Sequence, residues 1–201
     1  MTAPADSPME RAYALIDATN AEDPHRDQGV PKELLYGRRM TEMLTRYRPD
    51  AAETVWLAVR AQHVRRWEVP RSAYPMDKVG YHQWRSGLYR FHAELAGRLV
   101  REAGYDEETA ARVMLAVGKK QLRENPESQL VEDVASLVFL EHYMADFATG
   151  KPDYTEEKWL GIIAKTWKKM SSQARAFALS GNMVLPEHLL PLIRKALADV
   201  P

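Results

Sequence analysis

The chain has 201 residues, enough for one domain with a sizeable core and too few for two comfortable ones. Lys plus Arg and Asp plus Glu number 28 each, so the formal net charge is zero. Bulk attraction to DNA or to an anionic membrane is thereby excluded as a driving force, and any basic site must be local. Cysteine is absent, which removes disulfides, thiolate nucleophiles, iron–sulfur clusters and zinc–cysteine sites. His, Asp and Glu remain as side chains able to hold a metal. No apolar run approaches the length of a membrane span, and Met1-Thr2-Ala3-Pro4-Ala5-Asp6 lacks the basic and apolar regions of a secretory signal. The expected location is the cytoplasm.

Hydrophobic periodicity predicts helix almost throughout, with no sustained strand-like alternation and no Asn-Gly or Asp-Gly hairpin signal. A first helix over about 8–19 precedes a turn-rich loop that runs to Gly29. Pro31 suits the first position of a second helix, where Tyr36, Met40, Met43, Leu44 and Tyr47 recur at helical spacing up to Pro49-Asp50. A third is predicted over roughly 51–67, with Val55, Trp56, Val59, His63 and Trp67 along one face. The loop from Pro70 to Gly80 follows, then a fourth helix over about 81–103 that stops at Gly104. A fifth starts near Asp106, with Glu107 and Glu108 in its first turn. Asn125-Pro126 separates it from a sixth over about 127–148, ended by Gly150-Lys151-Pro152. A seventh runs from Thr155 through Met170, a short one lies near 171–180, and the last follows Pro186, kinked or restarted by Pro191. The expectation is a single compact all-α domain spanning the chain.

Two histidines, His63 and His92, sit on the faces that should turn inward. Each reads either as a core histidine satisfied by a carbonyl or carboxylate, or as a ligand. The segment Leu130 to Leu140 is apolar around most of its circumference, yet it carries Glu132 and Asp133 side by side. Adjacent helical residues point ~100° apart, so at least one carboxylate should be buried and need a cation, donors or a metal ion. A structural pairing with Arg or Lys is one reading. Neutral imidazoles together with a carboxylate, holding a divalent Mn, Fe, Co, Ni or Zn ion, are the other. Cations and aromatics cluster nearby in sequence: Arg65, Arg66, Trp67 and Arg71 after His63; Trp84 and Arg85 at the fourth helix; Lys119 and Lys120 after the fifth; Lys165, Lys168 and Lys169 on one face of the seventh. Such cations suit a phosphate-bearing ligand, and interleaved tryptophans suit base stacking. A solvated face and ordinary core packing are the plainer readings of the same residues.

The runs Pro31 to Gly37, Ala61 to Arg71, Gly80-Tyr81 with Trp84-Arg85, Glu132 to Ala135 and Lys165 to Met170 resemble the family filed as domain of unknown function 4202 over nearly the whole chain. A second resemblance is to the HD-domain metal-dependent phosphohydrolases, helical proteins in which a histidine, a later His-Asp pair and a final aspartate hold one or two metal ions. His63, His92 and Asp133 occur in that order, although Ala93 stands where that superfamily has its paired aspartate.

This second resemblance implies an HD-like, metal-dependent hydrolase of a nucleotide or other phosphate ester. His63, His92 and Asp133 would be the metal ligands, and metal-bound water the nucleophile. Arg65, Arg66, Lys119, Lys120 and Glu132 would act around the reacting phosphate, with Arg71, Arg85, Lys165, Lys168, Lys169, Trp67 and Trp84 binding substrate. The alternative is a non-catalytic, degenerate HD-like module that binds a nucleotide or RNA. A small phosphorylated ligand is the expected partner, with RNA as a further one and neither bulk DNA nor membrane.

Overall fold

Most helices begin where the sequence supplies an oxygen for their first free backbone N–H groups. In the computed structural model, which describes residues 7–150, 153–187 and 190–198, Ser7, Asp77, Asp106, Asn125, Thr155 and Ser171 each cap a helix with the side chain. Ser7 and Glu10 form a reciprocal capping box at α1 (Pro8–Ala21). The start Met1–Asp6 and the expected helix stop at Lys151-Pro152 lie outside the described residues.

The other helices are α2 (Lys32–Tyr47), α3 (Glu53–Ala61), α4 (Lys78–Glu102), α5 (Glu107–Val117), α6 (Pro126–Val138), α7 (Met144–Thr149), α8 (Glu156–Lys169), α9 (Ser172–Leu179) and α10 (Leu190–Ala198). Pro191 sits in the first turn of α10, so it helps start that helix and does not kink it. No described helix is long and apolar enough to cross a membrane.

Three local features depart from the sequence expectation. A small antiparallel hairpin, β1 (Arg26–Asp27) with β2 (Val30–Pro31), closes on Gln28-Gly29, both at positive φ (51° and 78°). That is the backbone of a primed hairpin turn, supplied here by a pair other than Asn-Gly or Asp-Gly. The third helix ends at Ala61, because the chain turns through Gln62–Arg65 and Arg65 takes a left-handed conformation with φ 52°. The side-chain oxygen of buried Asn20 accepts the Arg65 N–H at 3.2 Å and holds that turn. The sixth predicted helix is interrupted: Phe139–Tyr143 form a π turn in which the Met144 N–H donates to the Phe139 carbonyl, five residues back.

Helix α6 lies at the centre. It packs against α2, α3, α5, α8 and α9, and Val131, Val134, Leu137 and Val138 are fully buried. Around it the core is filled by Met40, Met43 and Leu44 of α2, Leu57 and Val59 of α3, and Ile163 of α8. The long helix α4 packs against α5, and α10 against α8. Two short 3₁₀ turns, Arg66–Glu68 and Arg71–Ala73, carry the chain from α3 to α4.

The start of α4 is held back onto this connection. Asp77 accepts the Gly80 N–H at 2.7 Å, Arg71 donates to the carbonyls of Tyr74 and Asp77, and the Trp84 indole N–H donates to the Val69 carbonyl at 2.9 Å. A Cβ on Gly80 would lie 2.1 Å from the Pro75 carbonyl oxygen, a backbone atom that cannot rotate aside. Gly80→Ala should therefore destabilise the protein by about 1–3 kcal/mol, the usual cost of overpacking. Urea unfolding would read the loss, and a shift in Trp84 fluorescence would show the 70–77 connection lifting from α4.

Candidate functional site

The two neighbouring carboxylates of α6 are both buried, Glu132 4% and Asp133 2% exposed, and they leave the helix in different directions. Glu132 forms an ion pair with Lys119 just past the end of α5, and lies 3.6 Å from Nζ of Lys169 at the end of α8. Burial alone would raise its pKa. The ammonium of Lys119, with Lys169 and Arg85, outweighs that and holds it below the usual carboxylate range.

Asp133 meets no cation within ion-pair distance among the described residues. Its Oδ1 accepts the Ser171 N–H at 2.8 Å and a Gln129 amide hydrogen at 2.9 Å, and its Oδ2 accepts the Ser171 hydroxyl at 2.5 Å and the Tyr47 hydroxyl at 3.4 Å. Burial raises its pKa against the lowering effect of those donors.

Glu132 faces a cavity of about 640 Å³ enclosed by α2, the turn after α3, the start of α4, α6 with its π turn, and α8. Six cations line it, Lys32, Arg66, Arg85, Lys119, Lys158 and Lys169, against two carboxylates, Glu33 and Glu132. Lys119 and Lys169 are taken up by Glu132. Lys32, Arg66, Arg85 and Lys158 form no ion pair with any described carboxylate. Aromatic groups occupy three of these four: Arg66 lies over the Trp84 ring at 5.1 Å, Lys158 over Tyr154 at 3.8 Å, and Arg85 donates to the hydroxyls of Tyr89 and Tyr81 at 2.5 and 3.0 Å. Tyr36, Tyr81, Phe139, Tyr143 and Tyr154, with Ala135 and Ile162, supply the apolar part of the lining.

At one wall the His63 ring stacks on Tyr36, with centroids 4.0 Å apart and planes 13° from parallel, and its Nδ1 lies 3.4 Å from Oε2 of Glu33. Burial pushes the Glu33 carboxyl up to about 7 despite the lowering effect of Arg66 and Lys32. Burial and the surrounding cations hold His63 well below the usual histidine value. His92, its ring 5.6 Å from that of His63, is held down in the same way by burial and by His63, Arg66 and Lys119.

The metal-ligand set implied by the HD resemblance is not assembled. His63 and His92 are neighbours, but the four donors around Asp133 turn its carboxylate to the junction of α2, α6 and α9, where it lines a separate surface recess with Tyr47, Arg48 and Ser171. Among the described residues no group of three His, Asp or Glu side chains is placed to hold a metal ion. The residues present do not fit that group.

Of the remaining residues singled out by sequence, Arg66, Arg85, Lys119, Glu132 and Lys169 meet at the cavity, and Trp84 backs Arg66. Arg65 points elsewhere, paired with Glu22 and Glu68. Arg71 staples the 71–77 connection through backbone carbonyls. Trp67 is half-buried in its 3₁₀ turn, while Lys120, Lys165 and Lys168 are exposed and outside the cavity lining.

Sequence reasoning missed Lys32, Glu33, Tyr36 and Lys158. Glu33 and Tyr36 are three apart on α2, one face of a helix, but a tyrosine in an apolar stripe reads as core. On α8 the cavity-facing set is Lys158, Ile162, Thr166 and Lys169, a better helical stripe than the three lysines chosen.

A family described as domain of unknown function (DUF4202) matches residues 10–193. No curated protein and no solved structure matches the chain.

Asp133→Ala removes an acceptor from buried or partly buried donors on three elements, and it should destabilise the fold by on the order of 2–4 kcal/mol in urea unfolding while leaving the cavity cations in place. Glu33 gives a pH test. Its folded pKa lies above its ordinary value of 4.5, so the unfolded chain releases this proton first and stability falls as pH rises from about 4.5 to about 7. Glu33→Gln should flatten the slope of unfolding free energy over that window and leave the protein more stable than wild type at pH 8.

Proposed function

The chain belongs to the DUF4202 family, whose description names no chemistry, and we propose from the cavity that it is a cytoplasmic protein that binds a nucleotide or other small phosphate ester. One observation carries this reading: Lys32, Arg66, Arg85 and Lys158 line a cavity, and none of them lies within ion-pair distance of a described carboxylate. Clustered cations repel each other, and a dianionic ligand relieves that repulsion at several points at once. The two guanidiniums are pre-set by their aromatic contacts to offer paired N–H donors to phosphate oxygens. The tyrosine-rich remainder of the wall suits a base or another flat apolar group.

Hydrolysis of that ester is a second reading, favoured by the Glu33–His63 pair on the same wall. Nδ1 of His63 faces the carboxylate, which leaves Nε2 of a neutral imidazole to take a proton from an attacking water. The cations would then stabilise charge on the phosphate oxygens in the transition state. No step is assigned to a metal ion, because the implied ligands are not gathered.

Calorimetry with adenosine 5′-monophosphate and with adenosine tests the binding reading. The nucleotide should bind and the nucleoside should bind at least tenfold more weakly, with affinity for the nucleotide falling as salt rises. Arg66→Ala and Arg85→Ala should each weaken nucleotide binding about tenfold, a change of ~1.4 kcal/mol. Equal affinity for the two compounds would sink the reading. For hydrolysis, phosphate release should persist in chelator and disappear in His63→Ala; release that chelator abolishes would instead demand a metal.

A further inference from the structure

A smaller chamber of about 170 Å³ adjoins the main cavity and shares Arg66, Arg85 and Lys119 with it. Its remaining walls include Gln62, Trp84, Tyr89 and His92. Unlike the main cavity, its lining contains three cations and no carboxylate. Gln62 and His92, each 1% exposed, present Oε1 and Nε2 there as buried polar atoms without a hydrogen-bond partner among the described residues. Buried polar atoms are rarely left unpaired, since each costs about 1–3 kcal/mol when it is. Arg66 and Arg85, the Glu132-paired Lys119 and two unsatisfied neutral groups therefore surround a small polar space that no described residue fills.

We infer that this chamber receives the terminal phosphoryl group of a phosphate monoester, with the rest of the ligand lying in the main cavity. The inference rests on the phosphate-ester reading above and narrows its ligand class. Terminal oxygens would accept from the Arg66 and Arg85 guanidiniums, the Lys119 ammonium and a His92 Nε2–H. The Gln62 amide would accept from a protonated phosphate oxygen or, turned over, donate to an ionised one. A monoester offers three terminal oxygens and up to two negative charges to these donors, whereas a diester offers two terminal oxygens and one charge. The chamber thus favours a monoester or the end of an oligophosphate over a diester such as an internal linkage of RNA.

The test compares phenyl phosphate with methyl phenyl phosphate by calorimetry on the full chain. They share the ring and phosphorus and differ in the second substituent. Phenyl phosphate should bind at least tenfold more tightly. Gln62→Glu, which places a carboxylate in the chamber, should abolish that preference. The comparison on the wild-type protein stands alone if the variant does not fold. Phosphorus NMR of bound phenyl phosphate adds a second readout: its resonance should shift in wild type and not in Lys119→Met.

Equal affinities, both lost in Arg85→Ala, would overturn the chamber assignment while leaving phosphate binding in the main cavity intact. An unchanged preference in a folded Gln62→Glu would likewise overturn it and leave the chamber to water. Binding of neither compound, with adenosine 5′-monophosphate also failing to bind, would remove both readings together.

Discussion

Two carboxylates side by side on a buried helix cannot be neutralised by one partner, since a step of one residue turns the side chain by ~100°. Much of the molecule's organisation answers that constraint at Glu132 and Asp133. Glu132 draws the end of α5 and the end of α8 together through Lys119 and Lys169. Asp133 draws in the start of α9 through Ser171 and the end of α2 through Tyr47. The bend between α8 and α9 is gripped from both sides, because Gln129 of α6 also donates to the Lys169 carbonyl at 2.8 Å. The charged partner serves the cavity and the hydrogen-bonded partner serves the scaffold, so the same helix positions one and supports the other.

A chain of zero formal charge still contains a strongly cationic interior surface because its pairing is uneven. Several arginines away from the cavity lining are matched by carboxylates: Arg39 with Asp27, Arg60 with Asp17, Arg101 with Glu107, and Arg46 with Glu141. At the cavity, Arg66 and Arg85 rest instead on tryptophan and tyrosine. Aromatic contacts orient a guanidinium without cancelling its charge, which leaves its field directed at the open space.

The helices, and the starts near Asp106 and at Thr155, were legible in the sequence because they rest on local chemistry and a 3.6-residue period. Features set by tertiary contacts were not. The end of α3 depends on Asn20, more than 40 residues earlier, whose side chain holds Arg65 in a left-handed turn that no Gly or Pro announces. The early start of α4, three residues ahead of the predicted one, depends on Asp77 capping across a glycine that the Pro75 backbone closely approaches. Burial of at least one of the two α6 carboxylates followed from the apolar circumference around them. Their division of labour did not, because Ser171 offers Asp133 two donors that only the folded chain brings near. In the same way, Glu33 and Tyr36 joined the candidate site only once His63 was seen in a turn beside them.

The π turn at Phe139–Tyr143 has a bearing on how this segment tolerates changes of length. A π turn is an α-helix holding one surplus residue, and here Phe139 and Tyr143 at its two ends line the cavity while Met144 returns to the core at 1% exposure. Losing one of the five residues would restore an unbroken helix from α6 into α7 and leave the flanking helices nearly in phase, because the turn already absorbs the surplus residue. Met144 would keep its place in the core, and the change would fall on the cavity wall between Phe139 and Tyr143. The π turn is therefore the one stretch of this long helix that could give up a residue and still leave the packing on either side in register.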